Sequence, residues 1–398
     1  MKTKLISLLI SCLILLLTTA SGCSLNRSHD SCIKGMDISS VISLEQSGAV
    51  FYGYDGKPQD IFKTLSESGV NYIRARVWND PYDMDGNGYG GDNCDAAKAA
   101  EIGRRAAKCG MKLLVDFHYS DFWADPSRQN APKAWRSMTL HQKSDAVYRY
   151  TVSSLEKISA SGAEIGMVQI GNEINAGLAG TYDFDDVTLL LQSASKAVRD
   201  FAASKGKNIR IAVHFAPASD REGTLWYAGR LDKAGLDYDV FGISYYPYWH
   251  GGIAKMKDIL TAVRTEYGKE TAVLETSYPY TLEDGDGFPN AAGESWLLPD
   301  YPASPQGQED FVRDVMSAAK ECGALGVFYW EGAWIPVGSD AEKNRTLWEK
   351  YGSGWASSFC ALYDPESGGR YYGGSSWDNQ AFFDHTGRPL DSLKAFNN

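Results

Sequence analysis

Cysteine is sparse in this chain and follows no pattern. Seven occur in 398 residues, and no pair has the C-x-x-C spacing of a zinc or redox site. Cys12 falls in an N-terminal apolar run and Cys23 just beyond it. That leaves Cys32, Cys94, Cys109, Cys322 and Cys360, an odd set that cannot form a complete disulfide framework. Cys109 and Cys322 each precede a Gly at an apparent helix end, which reads as structural. Positive charge is also short. Lys and Arg total 39 against 50 Asp and Glu, a net charge of −11. Phosphate binding needs the opposite balance, so a nucleic-acid partner is excluded. No Gly-rich phosphate loop follows the first strand, which weighs against a nucleotide site. Internal repeats are missing, and so is any Pro/Ser linker after residue 31, so one domain is the simpler reading.

Long hydrophobic runs are absent with one exception. Residues 5–17 are apolar and follow Lys2 and Lys4, the layout of an export signal rather than of fold. The run is too short for a comfortable membrane span. Ala20-Ser21-Gly22-Cys23 is similar to a bacterial lipoprotein processing site, in which the Cys carries the lipid; the plainer alternative is a signal peptide that happens to hold a Cys. The expected organisation is therefore a signal at residues 1–22, a lipidated Cys23 with a polar tether at 23–31, and a catalytic domain at 32–398. The chain is expected to be a monomer, exported and held at the cell envelope or surface, touching membrane only through that lipid.

What is present is a core and an alternation. Apolar residues make up 43% and charged residues 22%, enough for a sizeable interior. Short β-type runs lie at residues 33–39, 71–78, 111–118, 164–172, 208–215, 238–246, 271–277 and 324–330. Helical patterns fall between them, for example at 96–108, 142–160, 186–203, 253–266 and 308–321, and several stop at Gly. Eight strands with crossover helices predict a parallel sheet, and eight is the number that closes a (β/α)8 TIM barrel. A doubly wound open sheet alternates in the same way, so periodicity alone leaves both open.

In a closed barrel the active site lies where the strands end. Here the expected ends carry Arg76, His118, Asn172 with Glu173, His214, Tyr246, Glu275, and Trp330 with Glu331. One such residue is usually a satisfied structural group; a succession of them predicts one shared site. Glu173 closes the apolar run GMVQIGNE, and a buried carboxylate is costly without a purpose. Glu275 ends the seventh strand. Closure would bring the two across one mouth, where one protonated and one ionised carboxyl can cleave a glycosidic bond. Two unrelated salt-bridged glutamates are the plain alternative.

The segments GNEINAGL and VLETSYPYT resemble the acid/base and nucleophile segments of glycoside hydrolase family 53, the arabinogalactan endo-β-1,4-galactanases. KGMDISSV, YIRARVWNDP, DFHYSDFWADPSRQNAPKAW, FGISYYPYWHG and GVFYWEGAWIP agree with it, from about residue 34 to near the C-terminus. The resemblance implies a retaining endo-glycosidase acting on β-1,4-galactan, the side chain of pectic type I arabinogalactan. Glu173 would be the acid/base and Glu275 the nucleophile, roughly 5–5.5 Å apart. Asn172 would bond the sugar 2-hydroxyl, Arg76 would hold Glu275 ionised, and Tyr246 would donate to the same carboxylate, although strand alternation leaves open which of Tyr245 and Tyr246 points inward. His118 would line the site. Trp123 and Trp330 are the expected stacking platforms, with Trp249 and Trp334 behind them, and Asp121 bonds sugar hydroxyls or caps a turn. No cofactor is needed for the chemistry.

The loop EDGDGFPN offers Asp284, Asp286, a carbonyl at Phe288, and Asn290 in half of a calcium-loop pattern, without the closing Glu of an EF-hand. Family resemblance adds Ser375 and Asp378 from SSWDN, implying a structural Ca2+ that pins two long loops. The acidic loop at residues 83–95 reads as a groove wall, not a metal site. Ala179-Gly180 stand where bacterial relatives often carry an aromatic residue, which leaves subsite number and product length open. Three alternatives remain: another retaining barrel glycosidase, such as a β-mannanase or β-1,4-glucanase; a non-catalytic surface glycan-binding lipoprotein; and a purely structural lipoprotein, which leaves the polar strand ends unexplained.

Overall fold

The computed structural model describes residues 32–216, 221–370 and 373–397. The expected signal and lipidated tether, residues 1–31, lie outside the described residues. Eight parallel strands follow one another around a closed barrel: β1 (Ile33–Asp37), β2 (Tyr72–Val77), β3 (Lys112–Phe117), β4 (Ile165–Ile170), β5 (Arg210–Phe215), β6 (Val240–Ser244), β7 (Glu270–Glu275) and β8 (Gly326–Tyr329). Closure is made by β8 against β1, with Ile33 opposite Gly326 and Met36 opposite Tyr329. The open-sheet alternative is thereby excluded.

The strand alternation sorts side chains into two cores. Inside the barrel, Ile33, Tyr72, Leu114, Met167, Val240, Leu274 and Phe328 form a dry plug. The residues between them, such as Ile73, Val115, Val168, Ile211, Phe241 and Val273, face the surrounding helices. Two missing side chains make the plug possible. A β-carbon on Gly35 would meet the Phe328 ring at 2.1 Å, and one on Gly242 would meet Leu274 at 2.1 Å. The helices start at side-chain caps, Asp95, Thr139, Asp183 and Ser304 among them. Gly206, Gly268 and Gly352 close helices in the left-handed conformation.

Above the plug the interior turns polar. Asp37, Arg74, Asp116, Gln169 and His214 are fully buried there. One irregularity decides what stands at the rim. Between β6 and β7 the register slips: Ile243 pairs with Val273, but Ser244 pairs with Glu275, leaving Leu274 as an extra residue. Strict alternation would turn Glu275 outward with Val273. The bulge turns it inward instead, above Leu274. The five cysteines in the described residues are all free.

Candidate active site

A cleft of about 540 Å³ opens at the strand ends. Arg76, His118, Trp123, Asn172, Glu173, Tyr246, Glu275 and Trp330 line it, so eight of the expected residues meet in one place. Glu173 and Glu275 enter from opposite sides of the ring, off β4 and β7.

Glu173 sits three residues past β4 on a strained turn. Gly171 has φ +107, and a β-carbon there would meet Ile174 at 2.6 Å. Glu173 itself has φ +43, a left-handed conformation that costs an acidic residue on the order of 1–3 kcal/mol. Ser244 Oγ lies 2.7 Å from its Oε1. Burial and the nearby Glu275 charge push the Glu173 carboxyl well above the ordinary carboxylate range. Glu275 is raised by burial too, but Arg74 pulls against that, and Tyr246 donates to its Oε2 at 3.0 Å. The two environments therefore favour a protonated Glu173 beside an ionised Glu275. The hydrogen bond also settles which tyrosine faces the site: Tyr246 does, while Tyr245 donates to the carbonyl of Gly251.

The cation on Glu275 is Arg74, not Arg76. Arg74 Nη2 lies 2.8 Å from Glu275 Oε1 and 2.9 Å from Asp116, while Nη1 lies 2.9 Å from Asp37. It also donates to Asn172 Oδ1 at 2.9 Å and to Gln169 Oε1 at 3.2 Å. Arg76, on the same face of β2 one step nearer the rim, turns toward β8. Its Nη1 meets Glu331 Oε1 at 2.5 Å, and its guanidinium carbon lies 4.4 Å from the Trp123 ring centre. Burial raises Glu331 to about 7, and Ser40 donates to its other oxygen at 2.7 Å.

Asn172 is fixed at both ends, its Nδ2 donating to the Ala124 carbonyl at 2.8 Å. His118 lines the cleft with a ring already engaged: Nδ1 accepts from Trp78 at 3.1 Å and Nε2 meets Asp116 at 3.0 Å. Burial lowers its pKa, so it is neutral there.

Asp121 does not reach the cleft. Its carboxylate accepts from the backbone N–H groups of Asp80 at 3.0 Å and Lys133 at 2.7 Å, so of the two expected roles it fills the structural one. The aromatic wall also differs from expectation. Trp123 and Trp330 both line the cleft but are only 5% and 7% exposed, Trp355 stacks on Trp123 at 4.3 Å, and Trp334 is buried outside the cleft. The more open rings of the lining are Trp355 and Trp377, both half-buried, and the exposed Trp249. The last two of the wall, Trp355 and Trp377, come from the long segment after β8, where no periodicity marks them.

The acidic loops behind this wall converge. Oxygens of Asp284, Asp286 and Asp378 all lie within 4.8 Å of one another. Ser375 contributes a backbone N–H to Asp286 at 2.9 Å, and Phe288 does the same at 2.7 Å. Asp378 Oδ1 and Asn290 Oδ1 are buried with no hydrogen-bond partner. Crowding and burial raise Asp286 to about 7 and Asp378 to about 8. An oxygen-rich set with orphaned acceptors fits a hard divalent cation.

With this geometry established, the sequence model of Glycosyl hydrolase family 53 matches residues 33–396. The chain belongs to glycosyl hydrolase family 53. Within the family it is 53% identical, over 92% of this chain and 85% of the relative, to an endo-β-1,4-galactanase of Bacillus subtilis. It is 33% identical, over 91% and 89%, to an arabinogalactan endo-β-1,4-galactanase of Cellvibrio japonicus. Among solved structures, the family 53 catalytic domain of Ignisphaera aggregans superposes with a TM-score of 0.80 at 38% identity, covering 92% and 95% of the two chains.

Proposed function

We propose that this family 53 enzyme cleaves internal β-1,4-galactosidic bonds of galactan with retention of configuration. The observation that carries the reading is the pair Glu173 and Glu275, which line one cleft where Ser244 holds the first, and Arg74 and Tyr246 hold the second. Ionised Glu275 attacks the anomeric carbon while Glu173 gives its proton to the leaving oxygen. A covalent galactosyl-enzyme forms on Glu275. Glu173, now a carboxylate, takes a proton from water, which hydrolyses that ester. Arg74 and Tyr246 keep Glu275 anionic between turnovers, and Asn172, held by Arg74 and Ala124, is aimed at the adjoining sugar hydroxyl. Hydrolysis of galactan beside mannan and cellulose tests the substrate, and anomeric NMR of the first product tests retention. Glu173→Gln is expected to lose about 100- to 10,000-fold on galactan but far less on an aryl galactoside, whose leaving group needs no proton.

The Asp284, Asp286 and Asp378 cluster is proposed as a structural Ca2+ site, with Asn290 and the Phe288 and Ser375 segments around it. The cation would tie the β7 loop to the segment after β8 that carries Trp355 and Trp377; it has no part in bond breaking.

The leader sequence supports an exported enzyme anchored through a lipid on Cys23; the proposed oligomeric state is a monomer. Cys23→Ala is expected to move activity from the membrane fraction to the soluble one.

A further inference from the structure

His250 ends the short helix Pro247–His250 that follows β6. Its ring lines the cleft beside Tyr246 and Trp249. Its Nδ1 accepts the backbone N–H of Tyr246 at 3.0 Å. An N–H can only donate, so Nδ1 carries no hydrogen. A neutral imidazole then has its hydrogen on Nε2. Burial and the Lys255 charge hold the ring neutral, lowering it to about 4. No partner for Nε2 occurs among the described residues, and the ring is not sealed from solvent. The result is a donor of fixed orientation in the cleft that no described residue engages.

Its place in the ring gives it a use. Arg76, Trp123, Trp330, Trp355 and Trp377 form the wall from β2, β3 and β8, while the arc from β4 to β6 offers Asn172, Glu173, Ala216, Tyr246, Trp249 and His250. Asn172 is engaged by Ala124 and Arg74, and Tyr246 by Glu275, so beside the acid itself His250 carries the unengaged polar group of that arc among the described residues.

Resting on the galactanase reading, we propose that His250 is a substrate-positioning residue: its Nε2–H donates a hydrogen bond to a hydroxyl of the galactosyl unit lying over the β5–β6 side of the cleft. The bond forms in ground state and transition state alike, so its loss appears in KM.

Two side chains split the ring's functions. His250→Asn keeps an acceptor near the Nδ1 position and removes the distal donor. His250→Gln restores a distal N–H. The expected result is a KM for galactan raised roughly 3- to 10-fold in His250→Asn, the range of one neutral hydrogen bond. Its kcat and pH profile should match wild type, and His250→Gln should recover most of the loss. An unchanged KM in His250→Asn would overturn the proposal. So would a fall in kcat with a displaced acid limb, because His250 would then act only by holding Tyr246 on Glu275. Ring-nitrogen NMR of the 15N-labelled wild-type enzyme is independent of substrate: hydrogen on Nε2 supports the assignment and hydrogen on Nδ1 refutes it. Inactivity of the wild type on galactan would instead indict the function reading and leave the tautomer result standing.

Discussion

Arg74 Nη2 lies 2.8 Å from Glu275 Oε1, and the same guanidinium reaches Asp37 and Asp116 at 2.9 Å. One planar, fully buried cation thus serves three buried carboxylates. A lysine has one ammonium and cannot span them. Arg74→Lys is therefore expected to weaken the hold on ionised Glu275, moving the acid limb of kcat/KM to higher pH. Arg76→Lys disturbs Glu331 and should leave that limb where it is. If Arg76→Lys moved the limb and Arg74→Lys did not, the assignment would be reversed.

The acid residue carries a stability cost with a definite pH dependence. Glu173 has its folded pKa raised well above the ordinary 4.5. As pH rises through the ordinary range, the unfolded chain releases this proton while the folded chain keeps it. The folded state then binds more protons, so stability falls with rising pH across that window. Glu173→Gln removes the cost. Its gain in Tm over wild type should be absent at acid pH and grow toward neutrality. A gain that is equal at both ends, or larger in acid, would contradict the raised pKa.

Chelation should loosen the long loops. A cation held at 100 times its dissociation constant adds about 2.7 kcal/mol to stability. EDTA is expected to lower Tm, with Ca2+ restoring it, and Asp286→Asn should abolish both effects. A wild-type Tm indifferent to EDTA and Ca2+ would remove the cation from the site.

Trp355 and Trp123 are stacked rings with different exposure, and they should fail differently. Trp355→Ala removes a surface that sugar can reach, so KM for galactan should rise with stability little changed. Trp123→Ala empties a packed position and should cost about 3–5 kcal/mol of stability. Thermal melts beside KM values on galactan separate the two.

Much of this was legible from residue order. Strand–helix alternation and strand-end polarity led to a closed barrel, and the two glutamates stood out as charged residues at the ends of apolar strands. The misreadings have local causes. Arg74 and Arg76 share a face of β2, and sequence gives no height along the barrel axis, so the deeper arginine was passed over. Glu275 has outward parity, and only the slip at Leu274 reverses it; that slip depends on pairing with β6. Trp355 and Trp377 lie in an irregular segment where position is set by distant loops. Asp121 carries a residue type that suits sugar binding, yet its oxygens are taken by nearby backbone.

The lower half of the barrel has a consequence for sequence change. The Phe328 ring fills the place of a side chain on Gly35, and Leu274 fills the place of one on Gly242. Each pair shares one volume. A substitution on one strand is tolerated only with a compensating trim on its partner, so these positions should vary as linked pairs. Because Leu274 is also the bulge residue beneath Glu275, a repacking meant only for the floor would reach the nucleophile above it.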